Sequence, residues 1–557
     1  MKLFFSPFHC RLCSFRGEAP VRYDYGKHKI YECPLCGVLF LHPRPDPEEL
    51  AELYNGEQYF QHESFYSGAN ESIYGYPDYF AERMNKQQEY SVIAARCRTE
   101  LADSPRAEAG LPLRLLEVGC GPGYFLSIAH NAGFSVRGIE FNRAIVENYG
   151  PRYPFPMEHC DFLEGECTPA SYDCIVMLDV IEHFPDPFLA LEKACLMLAD
   201  GGLLVLSTVD SRGIGSRILG KRLEDFRRVR EHLFFFNRSN MTNMLRNEGL
   251  ARVSAESLGH TFVTTHLADR IRLMSPLWGR MADLGAGFLR KLGITTLDLD
   301  PRTKMIVYAR KPSQKQMQAT RENIAGDLSL MASYREYYDY YLSRVVRFFQ
   351  GKRVMELGCG TGSAMRAMAG MGAGFLLGVD ENKSSLEAAR QTLTEQGAAP
   401  FSLVGADIEK ERDRITALIR DQGIEVVFSF NFLEHMRDDM ELLRSVRNAL
   451  PPEGTLISIL PAGSGLYNRY DEAYRHFRRY NAKDLDVRFA GYSCVEKLRV
   501  GALKAVGWKA AGQKEYRGLS SGLRWYHLLS RLDRMLDAAF RHRVPGGATW
   551  ICVHRRG

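Results

Sequence analysis

Three sets of side chains in this sequence have the types and spacings that chemistry needs. The first is a pair of C-x-x-C knuckles, Cys10/Cys13 and Cys33/Cys36, with nineteen residues (14–32) between them. Each knuckle offers two thiolates from one tight turn. Four thiolates suit a tetrahedral structural zinc and leave no position open for a substrate. The second set is two glycine loops, "LRLLEVGCGPGYF" (113–125) and "RVMELGCGTGSAM" (353–365). Glycines let a ligand approach the backbone without Cβ atoms in the way. Glu117 and Glu356 stand at the mouths of these loops, and Glu140 in "GIEFN" and Asp380 in "GVDEN" follow 17 and 18 residues past the last glycine. A carboxylate there can accept two hydrogen bonds from a ribose diol. The third set is a repeated Glu-His pair, "MLDVIEHFPDP" with Asp179, Glu182 and His183, and "FNFLEHMRDD" with Asn431, Glu434 and His435. His232 and His476 lie further along each half. Oxygen and imidazole ligands suit a divalent cation, and a histidine alone suits a general base.

The elements that must position these residues recur in order. A helical stretch, "DYFAERMNKQQEYSVIAARC", precedes the strand "LRLLEV", the first glycine loop and a helix; "SVRGIEF", "YDCIVMLDV", "GGLLVLSTV" and "KMIVYARK" follow. The second half repeats this with "YREYYDYYLSRVVRFF", "RVMEL", its glycine loop, "FLLGVD", "IEVVFSF", "GTLISIL" and "TWICVH". Short β-branched runs separated by helical lengths predict a mainly parallel sheet covered on both faces. The pairs Gly119/Gly358, Glu140/Asp380, Asp161/Asp407, Glu182/Glu434 and His232/His476 are offset by 239, 240, 246, 252 and 244 residues. Landmarks that keep their order with small drifts are what a domain duplication leaves. The reading is therefore an α/β protein with two tandem Rossmann-like domains after a zinc ribbon. The boundaries are 1–45 for the ribbon, 46–77 for an aromatic-rich connector, 78–310 for domain 1, 311–327 for a polar linker and 328–557 for domain 2.

Bulk properties agree. In 557 residues, 45% are hydrophobic and 25% charged, which is the composition of a globular protein, and the net charge of +5 is mild. The start "MKLFFSPFHC" lacks the pattern of a signal peptide, and no stretch has the apolar length of a membrane span. The thirteen cysteines then read as thiols of a cytoplasmic protein, where close pairs imply metal or catalysis.

The loops have glycine at 119, 121, 123 and at 358, 360, 362. The dinucleotide pattern would need glycine at Tyr124 and Ser363, so a nicotinamide oxidoreductase is disfavoured. "LLEVGCGPG…GIEFN" and "VMELGCGTG…GVDEN" instead resemble the cofactor motifs of class I S-adenosylmethionine-dependent methyltransferases. The resemblance implies that the two loops, with Glu117 and Glu356, hold the methionine part of the cofactor. It also implies that Glu140 and Asp380 bind its ribose, and that Asp161 in "CDFLEG" and Asp407 in "ADIEK" lie near its adenine. The plainer reading of these two aspartates is that of ordinary loop residues.

The first half resembles ubiquinone-pathway O-methyltransferases, whose D/E-x-x-E-H cluster can hold a divalent cation. That implies a site of Asp179, Glu182 and His183, with His232 beside it. Asn431 replaces the first carboxylate in the second half, which counts against a metal there. The preferred alternative is that the Glu-His pair caps a helix, with His183, His232, His435 and His476 as candidate bases. Neither half has the Asn-Pro-Pro-aromatic segment of base-methylating enzymes. The expected acceptor is a hydroxyl of a small molecule, sugar or cell-surface glycan precursor, because the zinc-ribbon front end resembles bacterial methyltransferases of glycan and secondary-metabolite pathways. Two basic amphipathic inserts, 266–293 and 522–543, read first as lid helices over the cleft and second as contacts with a membrane or lipid-linked acceptor. The rival functions are one active domain with a binding or scaffolding twin, and an RNA-modifying enzyme, with nucleic acid the less favoured partner.

Overall fold

The computed structural model describes residues 4–55, 86–264, 267–268, 271–272, 276–320, 335–395, 399–511, 532–533, 535 and 547–557. The connector beyond Asn55, the linker beyond residue 320 and almost all of the second amphipathic insert lie outside the described residues. The chain forms two compact units, whose long segments meet between Gln314 and Lys315.

In the first unit, β1 (Phe4–His9), β2 (Arg16–Tyr25), β3 (His28–Glu32) and β4 (Leu39–His42) form the ribbon. The main sheet of this unit follows with β5 (Arg114–Val118), β6 (Ser135–Glu140), β7 (Met157–His159), β8 (Tyr172–Leu178) and β9 (Leu198–Val209). The two-residue β10 (Phe234–Phe235) pairs antiparallel with β4, so the ribbon sheet is completed by a strand from the segment read as domain 1. Ile30, Leu39 and Leu41 of the ribbon share one apolar cluster with Val209, Phe226 and Phe235. The ribbon is thus built onto domain 1. A hairpin of β12 (His260–Val263) and β13 (Thr296–Leu299) stands apart from the main sheet, which ends with β11 (Ala251–Ser257) and β14 (Lys304–Arg310).

The main sheet has the order β11-β14-β9-β8-β5-β6-β7. Five strands pair in parallel; β14 pairs antiparallel with both β9 and β11, so it alone runs against the rest of the sheet. The second unit contains β15 (Arg353–Leu357), β16 (Phe375–Asp380), β17 (Phe401–Gly405), β18 (Val426–Phe430), β19 (Thr455–Pro461), β20 (Tyr492–Val500) and β21 (Thr549–Arg556). Its order, β17-β16-β15-β18-β19-β21-β20, is the same topology, with β21 again the one reversed strand, antiparallel to both β19 and β20. Two apolar clusters lie on its faces, one around Leu357, Val427 and Leu456 and one around Val354, Phe428 and Ile457. A sheet covered on both faces explains why the central strands read as continuous apolar runs.

In each sheet the strand order reverses beside the first strand, β5 or β15. Ligands of open α/β sheets bind outside the carboxyl ends of strands at that point. All three carboxylate-bearing motifs of each half, at the ends of β5, β6 and β8 or of β15, β16 and β18, fall on that edge.

Candidate functional site

Each glycine loop is held from below by the strand beside it. Gly119 and Cys120 donate backbone N–H to Ile139 O at 2.8 and 3.1 Å; Gly358 and Cys359 donate to Val379 O at 2.9 and 3.1 Å. The loop glycines all take left-handed backbone, with φ of 69°, 51° and 80° in the first half and 67°, 50° and 75° in the second. Only glycine adopts such a run at low cost. The strand-end acid then ties the loop down. Gly121 donates to Glu140 Oε2 at 2.8 Å and Asn142 to Oε1 at 2.9 Å. Gly360 and Asn382 make the same bonds to Asp380, both at 2.9 Å. The asparagine of "GIEFN" and "GVDEN" also caps the next helix, Arg143–Tyr149 or Lys383–Thr394.

Glu117 and Glu356 are buried beneath these loops. Burial and the charge of Asp380 push the Glu356 carboxyl well above the usual carboxylate range, and its Oε2 has no hydrogen-bond partner among the described residues. Open space surrounds the point where a Cβ on Gly360 would stand. An unmatched acceptor under a cradle of backbone N–H groups suits a ligand carrying an ammonium group. Asp161 Oδ1 accepts from Leu163 N at 2.8 Å, and Asp407 Oδ1 from Glu409 and Lys410 N at 3.1 and 3.0 Å. Both aspartates therefore engage their own turns.

After β8 and β18 the chain makes a single turn, Ile181–His183 or Leu433–His435. In each half a carboxylate and two histidines converge: Glu182, His183 and His232, and Glu434, His435 and His476, with candidate ligand atoms within 4.8 Å of one another. The imidazole pairs meet edge-on at centroid distances of 4.8 and 4.7 Å. His183 Nδ1 lies 3.1 Å from Glu231 O and 2.7 Å from the Tyr54 hydroxyl, and His232 Nδ1 lies 3.1 Å from Asp225 O. A carbonyl only accepts, so Nδ1 carries the proton and Nε2 keeps its lone pair for a ligand. His476 Nδ1 lies 2.8 Å from Asp471 Oδ1, and His435 donates to the Tyr474 carbonyl. Arg479 anchors Asp471 in turn, at 2.8 and 2.9 Å. Burial drives the carboxyl of Glu182 up to about 8 and that of Glu434 up to about 7; the Thr208 hydroxyl beside Glu182 and each residue's own N–H fall short of a full hydrogen bond. Two imidazoles and one carboxylate with further positions open is a common divalent-metal arrangement.

Asp179 stands outside this cluster. Its carboxylate meets Lys304 Nζ at 2.9 Å and Lys86 Nζ at 3.2 Å. Its backbone is left-handed (φ 57°), as is that of Asn431 (φ 47°). Aspartate and asparagine are the side-chain-bearing residues that tolerate this conformation best. Asp179 and Asn431 donate to Ser207 O and Ile459 O. Matching these strands by their antiparallel partners places Thr549, opposite Pro461, where Lys304 lies opposite Val209. The second half has neither this acid nor this lysine, and its Glu-His-His cluster is present all the same. Sequence reasoning did not single out Tyr54, Asp471, Lys86 or Lys304; for Tyr54 the signal was the aromatic stretch "LYNGEQYF".

At the N-terminus the Sγ atoms of Cys10, Cys13, Cys33 and Cys36 also lie within 4.8 Å of one another. The knuckles are twins: Ser14 N donates to Cys10 O at 2.8 Å and Gly37 N to Cys33 O at 2.9 Å, with left-handed Ser14 and Gly37 (φ 60° and 70°). Four thiols so placed fit a tetrahedral zinc.

Residues 84–255 and 348–513 match two families, each described as "Methyltransferase domain", which together span more than half of the chain. The chain belongs to the class I S-adenosylmethionine-dependent methyltransferases and carries two such domains in tandem. It is 34% identical over 107 residues to the ubiquinone biosynthesis O-methyltransferase of Neisseria meningitidis serogroup C, a stretch that is 19% of this chain and 42% of that protein. Over 95 residues it is 32% identical to a probable S-adenosylmethionine-dependent methyltransferase of Mycolicibacterium smegmatis (17% of this chain, 37% of that one). The chain thus spans less than half the length of these relatives. Among solved structures it is similar to the Burkholderia thailandensis 1,6-didemethyltoxoflavin-N1-methyltransferase, solved with S-adenosylhomocysteine (15% identity, 53% of this chain, 99% of that chain, TM-score 0.29). A methyltransferase from Archaeoglobus fulgidus is also similar (18%, 42%, 100%, TM-score 0.28). No helix among the described residues is long and apolar enough to cross a membrane.

Asp179→Asn leaves Lys304 without its nearest anion and should destabilise the first domain by about 2 kcal/mol in denaturant unfolding. Asp179→Asn/Lys304→Thr, the pair found in the second domain, should recover most of that loss. Equal losses in the single and double variants would contradict the pairing. Emission spectrometry should find zinc in the purified protein and a clear loss of it in Cys33→Ser; zinc-free wild type with four titratable ribbon thiols would rule the ribbon site out.

Proposed function

We propose that both domains are catalytic and that the chain is a bifunctional methyltransferase acting on hydroxyls of a small molecule, sugar or cell-surface glycan precursor. The observation that carries this reading is the same pair of devices in each half, a glycine loop tied to a strand-end carboxylate and a Glu-His-His cluster on the same sheet edge. S-adenosylmethionine would supply an electrophilic methyl group for in-line displacement by the acceptor oxygen, so most of the acceleration comes from positioning. Glu117 and Glu356 would face its ammonium group. Gly119, Gly121 and Gly123, with Gly358, Gly360 and Gly362, would admit its methionine portion, and Glu140 and Asp380 would accept from its ribose hydroxyls. Asp161 and Asp407 would border the adenine.

The Glu-His-His clusters form the acceptor side. A divalent cation held by Glu182, His183 and His232, and likewise by Glu434, His435 and His476, would lower the pKa of an acceptor hydroxyl. A cation and a transferable proton compete for the same imidazole nitrogens, so a cluster does one or the other. The buried, unmatched carboxylates of Glu182 and Glu434 favour the cation. With no cation bound, an imidazole kept neutral by burial, His232 or His435, takes the hydroxyl proton.

The test is transfer of labelled methyl to a panel of phenolic and sugar hydroxyls by Glu140→Ala, Asp380→Ala and the double variant. Each single variant should lose one transfer by roughly 10–100-fold, as expected for removing a pair of ribose hydrogen bonds. A single variant with undiminished transfer would make its domain a non-catalytic twin.

A further inference from the structure

The helix Pro276–Lys291 of the first unit has its two faces the wrong way round for a lid. Leu277, Met281, Leu284, Phe288 and Leu292, spaced four, three, four and four residues apart, fall on one stripe and are between 58% and 77% exposed. Trp278 at the edge of the stripe is 62% exposed. The inward face is made of small residues: Gly279 and Ala286 are buried, and a Cβ on Gly279 would come within 2.6 Å of the Arg272 backbone. The large side chains of a lid helix would turn towards the protein, and here they turn to solvent.

We infer that this helix is an interfacial anchor that docks on the surface of a bilayer containing anionic lipids. The charges identify the occupant. Asp283 is matched by Arg272 at 2.5 Å, so its charge is neutralised within the protein. Arg280 and Lys291 flank the stripe, Arg290 is exposed further round the helix, and together they leave it cationic. An apolar stripe with an aromatic residue at its edge and cations beside it sinks to the level of the headgroups and attracts anionic lipid. At 16 residues the helix is too short to span a bilayer and long enough to lie in its surface. A second copy of the chain would set like charges against each other around the same stripe. The inference stands apart from the methyl-transfer reading, since it uses no residue of either cofactor edge.

Co-sedimentation of the full chain with vesicles tests it. Wild type should pellet with phosphatidylcholine vesicles containing a quarter phosphatidylglycerol, and markedly less with pure phosphatidylcholine. Leu284→Ser/Phe288→Ser should reduce partitioning at least tenfold at unchanged melting temperature, because both side chains are already in water. Arg280→Gln/Arg290→Gln/Lys291→Gln should remove the preference for anionic vesicles and retain weak binding. The inference is overturned if wild type stays in the supernatant or if the serine variant pellets like wild type. It is also overturned if light scattering shows a dimer that the serine variant abolishes while no vesicle binding occurs.

Discussion

The geometry of each half depends on one carboxylate, the acid at the end of the second parallel strand. Glu140 and Asp380 each accept a backbone N–H from the middle glycine of the loop and another from the asparagine two residues on. Those two bonds fix the loop in a left-handed course that it would otherwise have little reason to keep, and they set where the following helix begins. An apolar side chain would leave two N–H groups unmatched at the carboxyl edge of the sheet, each costing about 1–3 kcal/mol if buried. The same acid is the one suited to a ribose. Each carboxylate oxygen has a second lone pair, so an acid that holds the loop in shape still keeps acceptor capacity.

Duplication shows which features the fold requires and which it tolerates. The loop hydrogen bonds agree between the halves to about 0.1 Å, and so do the imidazole pairs. The environment of Asp179 does not survive: Asn431 keeps the left-handed backbone and the bond to the neighbouring strand, and the lysine partner becomes threonine. Histidine orientation differs at one position: His183, His232 and His435 meet backbone carbonyls, whereas His476 meets the Asp471 carboxylate. What persists is the Glu-His-His group itself.

Much of this was legible in the sequence. Central strands buried on both faces are written as unbroken apolar runs, so "LRLLEV", "YDCIVMLDV", "RVMEL" and "IEVVFSF" stood out. The edge strands did not: Met157–His159 has three residues, and Tyr492–Val500 mixes charges with apolar residues because one side meets solvent. The C-x-x-C knuckles announced their own convergence. Asp179 misled because its spacing to Glu182 imitates a ligand set, while its carboxylate is committed to lysines that lie 93 and 125 residues away in sequence. The first insert misled for a related reason: helical periodicity shows that an apolar stripe exists, and only the packing of Gly279 shows which way it faces.

Two intact cofactor edges in one chain is the central claim, and calorimetric titration of the purified protein with S-adenosylhomocysteine tests it most directly. A stoichiometry near two is expected, falling to near one in either Gly121→Val or Gly360→Val. A stoichiometry near one in the wild type, with only one of the two variants losing it, would contradict the claim and leave a single enzyme domain beside a repurposed twin.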